Sequence, residues 1–294
     1  MKKHSSVVFL FLLTFLGIGG CSRFPSLDMT STDWGDKSLW VSGFPAEDWC
    51  RHILPEEIRI IGLPSAGGDP FRALTVQHVR ALHHVRLGIV LQTAPPSLIV
   101  PHLLGTASAV LDLTAGEDES FLLQSGPQSA DPFPWLDPIW AQEAIQRIAS
   151  RSQEEWPQHA EAIQRRSQDY LYEIYQRHME LSTLLQDLPT QEYHATVDWY
   201  DGWMARYGFK KKPLAEGHWS LEKEAPLEHA QKPMPIVLLV DTPLNRHIAS
   251  ESAGARRIVF VPDPFAAMAG KTKYLDWLEQ IVERWKESGT GHEE

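Results

Sequence analysis

The stretch "PQHAEAIQRRSQDYLYEIYQRHMELSTLLQDLP", residues 157–189, decides how the rest of this chain is read. No Gly or Pro interrupts it between Pro157 and Pro189. Ile163, Tyr170, Ile174 and Leu181 recur at helical steps and form one apolar stripe. Pro157 suits the first turn of such a helix, where its missing N–H has no helical partner to lose. About thirty residues at about 1.5 Å each span roughly 45 Å. A helix packed inside a small lobe needs less length, so the stretch reads as a spine joining two lobes.

Both flanks of the spine alternate strand-like and helix-like segments. Upstream, "SLWVSGF" (38–44), "EEIRIIGLP" (56–64), "RLGIVLQT" (86–93) and "SAVLDLTA" (108–115) are short apolar runs. "PAEDWCRHIL" (45–54), "TVQHVRALHHV" (75–85) and "DPIWAQEAIQRIASRS" (137–152) have helical spacing. Downstream the rhythm returns. "EYHATV" (192–197), "MPIVLLVDTP" (234–243) and "RRIVFVPD" (256–263) read as strands. "DWYDGWMARYG" (198–208), "PLNRHIASESAG" (243–254) and "KYLDWLEQIVERWKES" (273–288) read as helices. Such alternation predicts an α/β fold with mostly parallel sheets. The expected layout is a first lobe over 37–150, a linking backbone helix over 151–189 and a second lobe over 190–294. Ligands of open parallel sheets bind beyond the carboxyl ends of the strands. The chain repeats Asp-Pro-Phe in such places: "GGDPF" (67–71), "DPFPWLDP" (131–138) and "VPDPF" (261–265).

The amino terminus is set apart. "MKKHSSVVFLFLLTFLGIGGCS" has a basic start, an apolar run of about a dozen residues and then small residues, the pattern of a secretory signal. The run is too short to span a membrane as a mature helix. Its end, "IGGC", resembles a bacterial lipobox. Residues 1–20 are therefore expected to be a lipoprotein signal, with Cys21 the acylated first residue of the mature chain and 21–36 a polar tether. That places the protein outside the cytoplasm, lipid-anchored to a bacterial membrane at its periplasmic face or cell surface. Cys50, the other of two cysteines, has no partner for a disulfide and reads as a buried thiol in a helix. A net charge of −11 over 294 residues excludes a basic nucleic-acid footprint, so no nucleic-acid partner is expected. The run Lys210-Lys211-Lys212 reads as a solvated loop. There is no G-x-S-x-G elbow, P-loop, H-E-x-x-H or Cys–His pair, and an enzyme is not expected.

Several of these segments together resemble the metal-binding solute receptors of bacterial zinc and manganese ABC importers. "EEIRIIGLPSAGGDPFRALTVQHVRAL" is similar to a strand, a Gly-x-Asp-Pro-His loop and the helix after it. "DPFPWLDP" is similar to that family's Asp-Pro-His-x-Trp-Leu-Asp-Pro signature, and "WMARYGF" to the segment after its third ligand. "ARRIVFVPDPFAAMAGKTKYLDWLEQIVERW" resembles its last strand, aspartate loop and final helix. The resemblance implies two α/β lobes on one long rigid helix, and an ABC importer permease as partner.

The resemblance also implies a metal site of His and acidic ligands, and here the chain departs. Phe71 stands at the first ligand position, Phe133 at the second and Val197 at the third; Asp263 keeps the acidic fourth. Zn²⁺ takes about four N, O or S donors, and one carboxylate does not supply them. His194, three residues before Val197, is the alternative third ligand if the register slips. Zinc or manganese would then be held by Asp263 and His194, and no metal or other cofactor is otherwise expected. His78, His83 and His84 lack the i,i+4 spacing of a helical metal pair. Asp131 and Asp137 read as turn and cap residues, with Asp137 placed to cap the helix that begins at Pro138. The altered cleft, with Trp135, Tyr200 and Phe265 nearby, is apolar with one acid. It suits an unknown small organic ligand or a metal chelate. The alternative is a structural or partner-binding lipoprotein on the same scaffold, with no small ligand.

Overall fold

In the computed structural model each lobe is built on a sheet whose strands all run parallel. The structure describes residues 37–62, 85–91, 107, 109–114, 133–195, 197–212, 236–243, 245–247, 258–269 and 272–289. The fold is that of the unit Trp34–Glu294. Among the described residues no helix is long and apolar enough to cross a membrane. The expected signal, Cys21, the tether, Phe71, Asp131 and the helix over 75–85 lie outside the described residues, as does most of the helix over 243–254.

The first sheet has β1 (Ser38–Val41), β2 (Arg59–Gly62), β3 (Leu87–Val90) and β4 (Ala109–Asp112), in the order β2-β1-β3-β4. β1 and β3 are buried along their whole length, which is why they read as unbroken apolar runs. Helix α1 (Ala46–Ile53) follows β1 and turns Trp49, Cys50 and Ile53 to the core. Cys50 is the buried free thiol expected from its setting, and burial pushes its pKa up and keeps it protonated. Gly88 of β3 has a strict steric reason. A Cβ there would meet the Trp40 ring at 2.3 Å, and Trp40 is fully buried and cannot swing away. Gly88→Ala is expected to lower stability by about 1–3 kcal/mol through overpacking, read by urea denaturation; a Gly88→Ala protein with unchanged midpoint would show that the β1–β3 contact yields freely.

Helix α2 (Pro138–Glu155) begins where the sequence indicates. Asp137 accepts from the Ile139 N–H at 3.0 Å and Pro138 occupies the first turn. It ends at Trp156, whose backbone is turned out of the helical region by Pro157. Arg147 of α2 donates to the carbonyls of Asp112 and Leu113, tying the helix to the end of β4.

The spine differs in detail from the expectation. Residues Pro157–His159 form a separate 3₁₀ turn, and helix α3 (Ala160–Gln186) starts after it. Its 27 residues correspond to about 40 Å. Ile163, Tyr170, Ile174, Leu181 and Leu185 are buried along one stripe. The first half of α3 is bonded to the first lobe: Arg166 donates to the Leu54 carbonyl at 2.7 Å, and the Tyr170 hydroxyl to Asp48 at 3.2 Å. The second half meets the second lobe through His178 and Tyr207, 2.9 Å apart.

The second sheet has β5 (Glu192–Ala195), β6 (Lys210–Lys211), β7 (Ile236–Val240) and β8 (Ile258–Val261), in the order β6-β5-β7-β8. Helix α4 (Asp201–Arg206) leads from β5 to β6 and closes at Gly208, whose φ of +82° favours glycine. The expectation of a solvated loop at Lys210–Lys212 is corrected. Lys210 and Lys211 form an edge strand paired with β5, and Lys211 also bridges Asp198 and Asp201. Lysines suit a sheet edge because their charge discourages further strand addition, so a charged run does not by itself mean a loop. Helix α5 (Pro264–Ala269) follows β8, and helix α6 (Tyr274–Gly289) closes the fold.

Candidate functional site

Within the described residues, the expected site lies where Phe133 meets the loop after β5, which Tyr200 ties to the end of β8. Residues Pro134–Leu136 form a short 3₁₀ turn between Phe133 and Asp137. Side chains at this turn reach both lobes. Trp135 packs edge-on against Phe44 after β1, at a centroid distance of 5.4 Å, and against Trp277 of α6 at 5.2 Å. Its carbonyl accepts from the Tyr274 hydroxyl at 2.8 Å. Phe133 meets Trp199, beyond β5, edge-on at 5.7 Å. Edge-to-face geometry is the favoured arrangement for such rings.

Phe133 is 1% exposed. It also contacts Trp135 at 6.0 Å, so its ring is held between two indoles. Val197 and Trp199, after β5, and Asp263, after β8, are partly exposed. Tyr200 joins these two loops by donating from its hydroxyl to the Pro262 carbonyl. Burial, and then the nearby charge of Asp263, raises the Tyr200 pKa well above the usual phenol range, so the hydroxyl stays protonated as a donor. The structure therefore brings Phe133 beside the Val197–Tyr200 loop, and that loop beside Asp263. The Asp263 carbonyl accepts from the Ala267 N–H at 3.1 Å and opens α5.

His194 is placed differently. Along β5 the core-facing residues are Tyr193 and Ala195, so His194 projects to the other face. Its Nδ1 lies 3.0 Å from the Lys212 carbonyl. A carbonyl only accepts, so Nδ1 carries the proton and donates. No described contact joins His194 to Asp263. Phenylalanine and valine side chains offer no lone pair to a metal. Among the described residues, no group of three or more His, Cys, Asp or Glu side chains is arranged to hold a metal ion.

Three participants were not legible from motif matching. Trp199 forms the wall on Phe133, and its signal was only an aromatic beside the third ligand position. Asp241, at the end of β7 between the other two strand ends, is a second acid on this edge. It is fully engaged: Arg246 grips it with two bonds of 2.5 and 2.7 Å, and Arg284 of α6 adds one of 3.0 Å. Hydrogen bonding to Arg246 holds its carboxyl below the ordinary range despite the opposing effect of burial. Arg206, at the end of α4, pairs through Nε with Asp137, so the residue that caps α2 also ties the signature turn to the second lobe.

Two parallel-sheet lobes on a long helix, with the described cleft residues at the strand ends of the second, form a solute-receptor-like fold. The comparisons agree. The family model described as ZnuA, zinc-uptake complex component A, periplasmic, matches residues 40–288. No curated protein matches the chain in sequence. Among solved structures, the metal-dependent lipoprotein YcdH from Bacillus subtilis is similar with a TM-score of 0.62 and 16% identity, over 85% of this chain and 98% of that one. The Zn(II)-bound ZnuA-like domain of AdcA from Streptococcus pneumoniae gives 0.60 and 13%, over 86% and 99%. A mutant of the laminin-binding adhesin Lmb from Streptococcus agalactiae gives 0.59 and 17%, over 86% and 99%. At these identities the structural likeness speaks for the fold alone. The chain belongs to the periplasmic zinc-uptake component A family, by its match to the family model over most of its length. Members of that family are solute-binding receptors that work with ABC importer permeases, and they are not enzymes.

Proposed function

We propose that this protein is a lipid-anchored receptor of the zinc-uptake family that takes no bare metal ion at the family's ligand positions. In this reading Cys21 carries the lipid, and Phe71, Phe133 and Val197 replace three metal donors beside Asp263. The observation that carries it is Phe133: a fully buried ring, clamped edge-on between Trp135 and Trp199, where the resemblance places a histidine. The ligand presented to a permease is then an organic molecule or a metal chelate. The partly exposed Val197 and Trp199 supply an apolar wall for it, and Asp263 a carboxylate for a cationic group. A thermal-shift screen of amines, amino acids and chelated metals tests this. Hits are expected to weaken about tenfold or more in Asp263→Ala, the loss of one charge-assisted contact. Hits indifferent to Asp263 would place the ligand elsewhere.

A second reading rests on the same burial. Phe133 leaves no space of its own for a ligand, which favours a structural or partner-binding lipoprotein on the receptor scaffold. A screen without hits, together with retention of the protein by a partner in membranes, is the outcome that selects this reading over the first.

A further inference from the structure

A pocket of about 250 Å³ lies at the junction of three helices, and none of its lining residues is among the cleft positions Phe133, Val197 and Asp263. Ile139 comes from the first turn of α2 in the first lobe. Ser182, Leu185 and Gln186 come from the last turns of the spine α3. Arg206 and Tyr207 come from the end of α4 in the second lobe, and His178 lies beside Tyr207. The cleft chemistry uses none of these groups at a ligand.

The polar part of this lining includes several donors and one permanent cation, Arg206. Arg206 spends its Nε–H on Asp137. The four N–H groups on its terminal nitrogens are left for another acceptor. His178 and Tyr207 share one hydrogen bond of 2.9 Å. Burial lowers the His178 pKa and raises that of Tyr207, so both are neutral at pH 7. A neutral imidazole and a phenol hold two exchangeable protons between them, and their mutual bond uses one. The other, on Nε2 or on the phenol oxygen, remains a donor in either tautomer. Gln186 donates to the Ser182 hydroxyl oxygen at 3.3 Å, which leaves the Ser182 proton free to point elsewhere. The amino end of the 18-residue helix α2 adds a partial positive charge beside Ile139. Asp137, the acid in this bonding network, is already held by Arg206 and by the Ile139 N–H. Ile139 and Leu185 give the pocket an apolar side.

We propose that this pocket binds a small organic carboxylate, with the oxyanion on the terminal nitrogens of Arg206 and the carbon skeleton against Ile139 and Leu185. A planar guanidinium matches a carboxylate edge with two parallel bonds. The volume lies below the usual range for drug-sized ligands, which restricts the occupant to a small molecule. Its walls belong to both lobes and the spine, so an occupant ties the lobes together through the helix ends that Asp137 and Arg206 already join. The site is distinct from the strand-end cleft positions Phe133, Val197 and Asp263.

The test uses the full mature chain with three probes: succinate, benzoate and inorganic phosphate. Succinate or benzoate is expected to bind by calorimetry and to raise the melting temperature by about 2 °C or more at saturating millimolar concentration. Ser182→Leu fills the pocket from a helix position that tolerates Leu, and Gln186→Glu puts a like charge at its exposed rim. Each is expected to weaken carboxylate binding about tenfold or more while the circular dichroism spectrum stays unchanged. Absence of binding by both carboxylates overturns the proposal, as does binding that persists in both variants. Binding of phosphate alone overturns the assignment to a carboxylate.

Discussion

Trp135→Ala is expected to lower the stability of the folded unit by about 3–5 kcal/mol, the usual cost of emptying a large buried aromatic site. Trp135 is fully buried, and it contacts Phe44 of the first lobe, Trp277 of α6 and Phe133 at the strand-end cleft. Emptying that position removes contacts on three sides at once, and the neighbours are rings that do not collapse easily into the gap. For a unit of this size the melting temperature should fall by roughly 6–20 °C. Trp135→Phe keeps a ring and most of the edge contacts. It also deletes an indole N–H that is buried without a hydrogen-bond partner, so it should cost far less than the alanine change. Equal losses for the two variants would mean that the ring contacts do not hold the junction.

Asp48→Ala should cost about 2–4 kcal/mol, since hydrogen bonds to a charged group are worth more than neutral ones and their partners are left buried. One carboxylate oxygen of Asp48 accepts from the Tyr170 hydroxyl of the spine and from the Tyr274 N–H, the first residue of α6. The side chain thus caps α6 from another part of the chain and complements its dipole. Asp48→Asn can offer its amide oxygen at the same place and keep both bonds, at the loss of the charge. The expected order in urea denaturation is wild type, then Asn, then Ala, with Asn nearer to wild type. An Asn variant as unstable as Ala would show that the negative charge, not the acceptor, is what matters.

Much of this fold was readable along the chain because its signals are local. The uninterrupted stripe of Ile163, Tyr170, Ile174 and Leu181 gave the spine, and short apolar runs such as "LLV" before Asp241 gave buried parallel strands. The cap at Asp137 followed from Asp-Pro alone. What escaped depends on contacts between distant residues. Lys210 and Lys211 become a strand only because Glu192 and Tyr193 lie alongside to pair with them. Pro157 heads a separate turn beside Trp156, which is buried in the core. At the candidate site, the positions of Phe133, Val197 and Asp263 came from the resemblance. The clamp of Trp199 on Phe133 and the grip of Arg246 and Arg284 on Asp241 are tertiary facts with no periodic trace in the sequence.

The most direct measurement is the metal content of the protein, purified without chelators and analysed for zinc and manganese by elemental mass spectrometry, then titrated with each metal. With Phe133 buried in an aromatic clamp, and with Asp263 the one acid that the proposed reading keeps at the ligand positions, far less than one equivalent should be found, with no saturable high-affinity titration of either metal. One tightly held equivalent of zinc or manganese, lost on Asp263→Ala, would contradict the proposed loss of the bare-metal site.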